Sequence, residues 1–291
     1  MKKSIKKAGI TAHTRNALWG YGFIGIWLIG FFGFTLYPTV YSFIISLNDV
    51  RLTSKGMQFT WRAFYHYYYA LSVSGEFKMK ISEGLGFIIA ATIVVVVFSF
   101  IISLLLNKKF PMRTFFRVVF FLPVVIMSGP VIAKLLTGET VDFSKSGGIV
   151  YTFLGDLPEV LRNPTLFVLN NLTTILWFSG VQILIYLAGL QKISPDIYEA
   201  ASIDGAGAWE KFWKITLPYM RPMALLNAVY TVVEISNYSE LGINKLISNN
   251  MFNQTRIYSY SAAMSWLYFL IVAVLLILVF LVFKLFGKGD K

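Results

Sequence analysis

The 291-residue chain has no cysteine and only two histidines, His13 and His66. That excludes disulfides, thiolate metal centres and a cysteine nucleophile. The two histidines lie in different segments, so neither a metal site nor a histidine-based triad is expected. Charge is scarce as well. Asp, Glu, Lys and Arg make up 14% of the residues, against roughly 25% in a soluble domain. Acidic residues number 14 against 26 basic ones. They are scattered, with no pair on a shared motif suited to acid–base catalysis. No Gly-x-x-x-x-Gly-Lys-Ser/Thr run occurs, so there is no phosphate-binding P-loop. Gly287-Lys288-Gly289 belongs to a charged tail and lacks the rest. No catalytic residue, metal ligand or cofactor is therefore assigned to this chain.

What the chain has in quantity is apolar surface: 56% hydrophobic residues, 17% aromatic. Apolar runs of about 18 residues or more point to membrane spans. The reading is an all-α membrane protein with six transmembrane helices in one domain over residues 18–286, preceded by a basic segment 1–17 and followed by a tail 287–291. The first span is Leu18–Leu47, twice as long as the apolar core of a signal peptide. The second is Leu85–Leu106, with an unbroken Val94–Val97 core. The third, Thr114–Leu136, contains Pro123, Gly129 and Pro130 and should be kinked. The fourth is Leu172–Leu190. The fifth, Arg221–Glu240, is the least apolar, and the sixth is Met264–Phe286. The intervening segments 48–84, 137–171 and 241–263 are polar and read as loops.

Six spans put both termini on one side. Sixteen Lys and Arg fall in the N-terminal segment, 107–117, 191–221 and 284–291; nine fall in the longer loops of the other side. The positive-inside rule places the termini and residues 191–220 in the cytoplasm. The net charge of +12 is thus read as a topology signal rather than a nucleic-acid footprint. Basic outer loops would also suit an acidic solute or lipid headgroups.

Ionisable groups inside spans are costly and usually face a bundle interior or a wet cavity. Glu234 lies in the middle of the fifth span; Lys134, late in the third, can snorkel outward. Asn227, Tyr230, Glu234, Asn237 and Tyr238 recur at three or four residues and share a face. Ser179, Gln182 and Tyr186 do the same on the fourth span. Two readings stay open for these stripes: hydrogen bonding between helices, or a path for a polyhydroxylated solute.

The longest polar-mixed segment between two strongly apolar ones in the second half of the chain is Glu199–Pro218. Ser194 suits an N-cap, Pro195 the first helical position and Asp196 the positive end of a helix. A short helix then ends at Gly205, where positive φ costs little. A second short helix, about Ala208–Lys214, presents Trp209, Phe212 and Trp213. Pro218 ends it or starts the next element.

Glu199-Ala200-Ala201, Gly205, Ile215, Leu217 and Pro218 resemble, in every position and spacing, the EAA signature of ABC-importer permeases. An amphipathic loop helix on the membrane surface would not require this spacing. Tyr37-Pro38-Thr-Val-Tyr41-Ser42 resembles the end of the first core helix of the sugar-importer branch, and Phe115-Phe116-Arg117 through Pro123 its third helix. Tyr198 through Ala206, with Asp204, is similar to maltose- and glycerol-phosphate-type permeases. The resemblance covers roughly residues 18–240; Ser239–Met251 lacks an expected Gly-Gly-Pro run.

The resemblance implies a type I permease fold in a bacterial cell membrane. It makes residues 191–220 a cytoplasmic coupling loop that docks on a separate ATPase through Glu199, Ala200, Ala201, Asp204, Gly205, Ile215, Leu217 and Pro218. ATP and Mg would be bound by that partner. Further implied partners are a second permease in a heterodimer, two ATPase copies, an extracytoplasmic solute-binding protein and membrane lipid. The expected solute is a carbohydrate, an oligosaccharide that could be acidic. Its path would be lined by Gln182, Tyr186, Asn227, Tyr230, Glu234, Asn237 and Tyr238. The alternatives are an importer for a phosphate ester, polyamine or anion, and an ion-driven secondary transporter, which leaves the signature unexplained.

Overall fold

The structure, a computed structural model, describes residues 12–53, 56–108, 110–126, 158–252 and 258–286. The end of the third expected span, with Gly129, Pro130 and Lys134, lies outside the described residues, as do most of the loop that follows it and both termini. Among the described residues, four helical stretches are long and apolar enough to cross a membrane: Gly20–Ser46, Gly75–Asn107, Leu172–Leu190 and Tyr258–Leu285.

The chain divides into two compact units. The first comprises residues up to Val73 together with Asn249–Trp266. Its leading helix α1 (Ala12–Phe31) passes through a π-turn (Phe32–Leu36) into α2 (Tyr37–Ser46). Pro38 sits in the first turn of α2, where its missing N–H has no helical acceptor to lose. No side chain in the most apolar window of this span is buried.

The loop after α2 is more ordered than its composition suggests. Strands β1 (Asn48–Thr53) and β2 (Gly56–Trp61) form an antiparallel hairpin with Asn48 opposite Trp61. Polarity alone hid it, because β2 is exposed along its length and β1 buries Asn48, Asp49 and Val50 in succession, so neither shows the alternation that marks a strand in sequence. Its base is pinned by charge. Asp49 is buried, with one carboxylate oxygen 2.7 Å from His66 Nε2 and the other accepting from Arg62 Nε at 3.0 Å. The Val50 N–H donates to Ser259 Oγ at 2.9 Å. Helix α3 (Tyr65–Tyr68) carries His66 and continues through a second π-turn, Tyr69–Val73.

The second unit comprises Ser74–Ser248 and Leu267 onward. Helix α4 (Gly75–Asn107) starts at Ser74, whose side chain accepts from the Phe77 N–H at 3.3 Å. At 33 residues it is about 50 Å long, well over the roughly 30 Å of hydrocarbon it must cross. The second expected span, Leu85–Leu106, is its apolar part only. Glu76, Lys78, Lys80 and Glu83 extend the helix beyond, because backbone hydrogen bonding does not stop where hydropathy does. Helix α5 (Arg113–Ile126) follows, then α6 (Glu159–Asn170) and α7 (Leu172–Leu190). The bounds of α7 match the expected fourth span.

Beyond α7 come α8 (Pro195–Ile203), α9 (Ala208–Lys211), a π-turn (Phe212–Thr216), α10 (Leu217–Ser236), α11 (Gly242–Met251) and α12 (Tyr258–Phe286). Helices α6 and α11 occupy segments that composition marked as polar loops. The first turns of α12 belong to the first unit and its apolar remainder to the second.

The core of the second unit lies where α4, α7 and α10 meet. Ser99, Ser103 and Ser179 are fully buried there, and Ser99 Oγ donates to the Ser179 carbonyl at 3.4 Å. Small residues allow the helix backbones to approach, as is common in membrane bundles. Gly189 serves the same end between α7 and α10. A Cβ there would lie 2.7 Å from Met223 Cγ and 2.9 Å from Met220 Cε, closer than side chains pack.

Candidate functional site

Two groups of functional residues are positioned by these helices. The first is the connection from α7 to α10. Ile193, buried, anchors the chain after α7. Ser194 then caps α8, its side chain accepting from the Asp196 N–H at 3.3 Å, with Pro195 at the first helical position. The far end of α8 closes with the Ala206 N–H on the Ala201 carbonyl (2.9 Å) and the Gly205 N–H on the Ser202 carbonyl (3.1 Å). This nested pair requires a left-handed residue just past the helix, and Gly205 supplies it with φ of +83°. The Gly207 N–H, at the start of α9, donates to Glu210 Oε2 at 3.1 Å.

The polar part of this segment faces away from protein. Glu199, Ala200, Asp204 and Gly205 are exposed. So are the apolar side chains Ile197, Ile203, Trp209 and Trp213, with Ile203 87% exposed and Trp209 72%. Apolar groups brought together on one short exposed element mark an interaction surface. Ile215, Leu217 and Pro218 lie on the other side of the joint and are half-buried.

The joint itself is firm. The Tyr198 and Thr216 hydroxyls hydrogen-bond at 2.8 Å, so α8 is tied to the π-turn that leads into α10. Tyr198 and Ile215 also pack against the buried cluster Tyr186, Leu190, Ile193 and Met220. Helix α9 runs through the π-turn into α10 without leaving helical geometry, and Pro218 sits in the first turn of α10. The second short helix is therefore continuous with the span rather than ended by the proline. A π-turn admits one extra residue per turn and often marks a functional position.

The second group lies where α7 meets α10. Gln182 is fully buried, and its Nε2 donates to Thr231 Oγ1 and to Glu234 Oε2, both at 3.0 Å. The Asn227 side chain donates to the Gln182 carbonyl at 3.2 Å and lies beside the Tyr186 phenol. Gln182 Oε1 and Asn227 Oδ1 are buried acceptors with no hydrogen-bond donor among the described residues. Four of the sequence-selected residues, Gln182, Tyr186, Asn227 and Glu234, are thus brought together.

The other three stand apart. Tyr230 is 39% exposed. Asn237 caps α10, exposed, with its amide on the Val233 carbonyl at 2.8 Å. Tyr238 packs edge-on against Trp177 and Phe178. The polar stripe therefore straddles the edge of the buried face of α10 instead of lying within it. Sequence reading missed Thr231, although it lies four residues after Asn227 and three before Glu234 and so on the same face. It also missed Gly189, since a glycine that permits close packing carries no local signal.

Comparison with known proteins gives a consistent result. A family model described as the binding-protein-dependent transport system inner membrane component matches residues 108–289. The chain is 26% identical over 285 residues to the probable ABC transporter permease protein YesP of Bacillus subtilis, covering 91% of this chain and 90% of that one. It is 27% identical over 219 residues to the arabinooligosaccharides transport system permease protein AraP of Halalkalibacterium halodurans, covering 73% and 66%. In fold it is similar to a chain of the bacterial alginate ABC transporter crystallised with an alginate pentasaccharide-bound periplasmic protein. The TM-score is 0.69 at 19% identity, over 94% of this chain and 96% of that one.

Proposed function

Because the chain belongs to the family of inner membrane components of binding-protein-dependent transport systems, we propose that it is the permease subunit of an ATP-driven importer for a carbohydrate, specifically an oligosaccharide. The observation that carries this reading is the segment 194–218. It holds the whole EAA spacing, presents Glu199 and an apolar tip to the outside, and is fastened to a membrane helix at Tyr198–Thr216. Such an element suits transmission of motion from a separate ATPase, which would bind ATP and Mg. In the proposed assembly six spans put both termini and this segment in the cytoplasm. A second permease, two ATPase copies and an extracytoplasmic binding protein complete it.

The sugar class follows from the sequence resemblance and from relatives named for sugar transport. The buried amides of Gln182 and Asn227 fit it chemically. Their unpartnered carbonyl oxygens accept from hydroxyls, and a polyol carries many. Tyr230 and Asn237, exposed on the same helix, would line the side of the path that a second permease closes.

The test is reconstitution of this chain with its partner permease, ATPase and binding protein, together with identification of the solute the purified binding protein retains. An oligosaccharide that stimulates ATP hydrolysis severalfold and accumulates in vesicles is the expected outcome. Retention of a phosphate ester, polyamine or anion would move the assignment to another branch of the family. Concentrative uptake by this chain without any ATPase would defeat it.

A further inference from the structure

The second unit contains an apolar groove of about 680 Å³ whose lining includes Tyr186 and Leu217, but most of whose walls the transport reading does not use. It runs between α4, α10 and α12 and is walled by Val97, Phe100, Leu225, Phe280 and Phe283 among others. Two of its lining residues are cations, Arg221 in the second turn of α10 and Lys284 in the last turn of α12, and no carboxylate lines it among the described residues. Its volume is within the range of about 300–1,000 Å³ that takes small-molecule ligands. Its walls, however, supply almost no polar partner to fix such a ligand.

We propose that this groove holds one anionic phospholipid, with an acyl chain against Val97, Phe100 and Phe280 and the headgroup phosphate between Arg221 and Lys284. The division of the lining is the argument. A sugar would leave its hydroxyls unsatisfied against aromatic and aliphatic walls. An acyl chain loses nothing there, and the charged groups that line the groove among the described residues are opposite in sign to a phosphodiester. Basic groups at a helix boundary attract anionic headgroups, an effect that grows when two converge on one site. The chain is embedded in a membrane, so the ligand is at hand. Val282 and Phe280 are about half exposed, which leaves the groove open to entry from the lipid phase.

The experiment uses the assembled transporter, purified in mild detergent and mixed with equal amounts of phosphatidylglycerol and phosphatidylcholine. Retained lipid is counted by native mass spectrometry. The wild type is expected to hold one phosphatidylglycerol in preference to phosphatidylcholine. Each of Arg221→Gln and Lys284→Gln should weaken retention about fivefold, the effect of one basic residue near an anionic surface, and the double variant should lose the preference. Both side chains reach solvent, so the variants are expected to assemble; elution volume checks this, and K284Q alone suffices if the arginine variant does not assemble. Unchanged phosphatidylglycerol retention in the double variant would overturn the proposal. So would displacement of the lipid by millimolar inorganic phosphate, which would make this an ion site. A photoreactive residue in place of Val97 should label phospholipid; labelling of a neighbouring permease chain instead would assign the groove to a protein interface and defeat the lipid reading.

Discussion

Segment 194–218 and the α7–α10 network use the same residue types in opposite ways. In segment 194–218 the polar and aromatic groups are turned outward, and what is satisfied locally is the backbone, through Ser194, Gly205 and Glu210. In the network the polar groups are turned inward and satisfy one another, through Gln182, Thr231, Glu234 and Asn227. The difference lies in the surroundings. Water or a partner can complete an exposed group, so only backbone geometry constrains it. A group within an apolar bundle must find its partner inside the protein or cost several kcal/mol. The two regions meet at Tyr186, which packs in the cluster that holds Tyr198 and also lies beside Asn227. Exposed and buried halves are thereby joined by one continuous run of packed side chains.

The comparison can be broken at each end. The largest effect is expected at the exposed end. Glu199→Lys reverses the charge presented outward, and Gly205→Val forces a β-branched residue to φ of +83°, a strain of about 1–2 kcal/mol. Neither touches the bundle core, so insertion should be normal while solute-stimulated ATPase activity falls at least tenfold. Activity at the wild-type level in both variants would remove the segment from coupling.

At the buried end, Gln182→Leu leaves Glu234 and Thr231 without their shared donor. A buried hydroxyl and a half-buried carboxyl group stripped of their shared donor cost about 1–3 kcal/mol. The variant should assemble poorly and lose thermal stability, in contrast to Glu199→Lys. A stable, fully assembled Q182L protein would mean that the network contributes little to the fold.

Asn227→Ala and Tyr230→Ala test whether the stripe is more than packing. Lining of the solute path predicts uptake reduced about tenfold, or a changed sugar preference, with basal ATPase rate and assembly kept. If Asn227→Ala loses assembly while Tyr230→Ala changes nothing, both residues are structural. The smallest effect is expected at the joint. Tyr198→Phe removes one half-buried hydrogen bond to Thr216, worth about 1 kcal/mol. Stability should barely change, while the ratio of transport to ATP hydrolysis should fall if the bond carries motion.

Several features of the fold are legible along the chain because they depend on neighbours in sequence. Ser194, Pro195 and Gly205 bound α8, since capping and left-handed geometry are decided within a few residues. The limits of α7 coincide with its apolar run. Elsewhere composition marked the membrane boundary rather than the helix, as at α4, which continues ten residues beyond its apolar core. The hairpin of β1 and β2 was hidden for a related reason. It is held by Asp49, His66, Arg62 and Ser259, contacts distant in sequence that no local pattern announces.

Read alone, the sequence specifies a helical membrane chain that contains no Gly-x-x-x-x-Gly-Lys-Ser/Thr run. It specifies as well that residues 194–218 form a capped, glycine-hinged element, because hydropathy and backbone geometry act locally. Helix packing, by contrast, sets which polar residues of α10 face inward. Helical spacing groups Asn227, Tyr230, Glu234 and Asn237 on one side, but the packing of α7 and α4 sets where the buried face ends. That edge falls between Asn227, fully buried, and Tyr230, exposed. The same packing brought Thr231 to Gln182 and required glycine at 189. A contact between helices depends on their crossing and their separation, and a single chain's periodicity encodes neither.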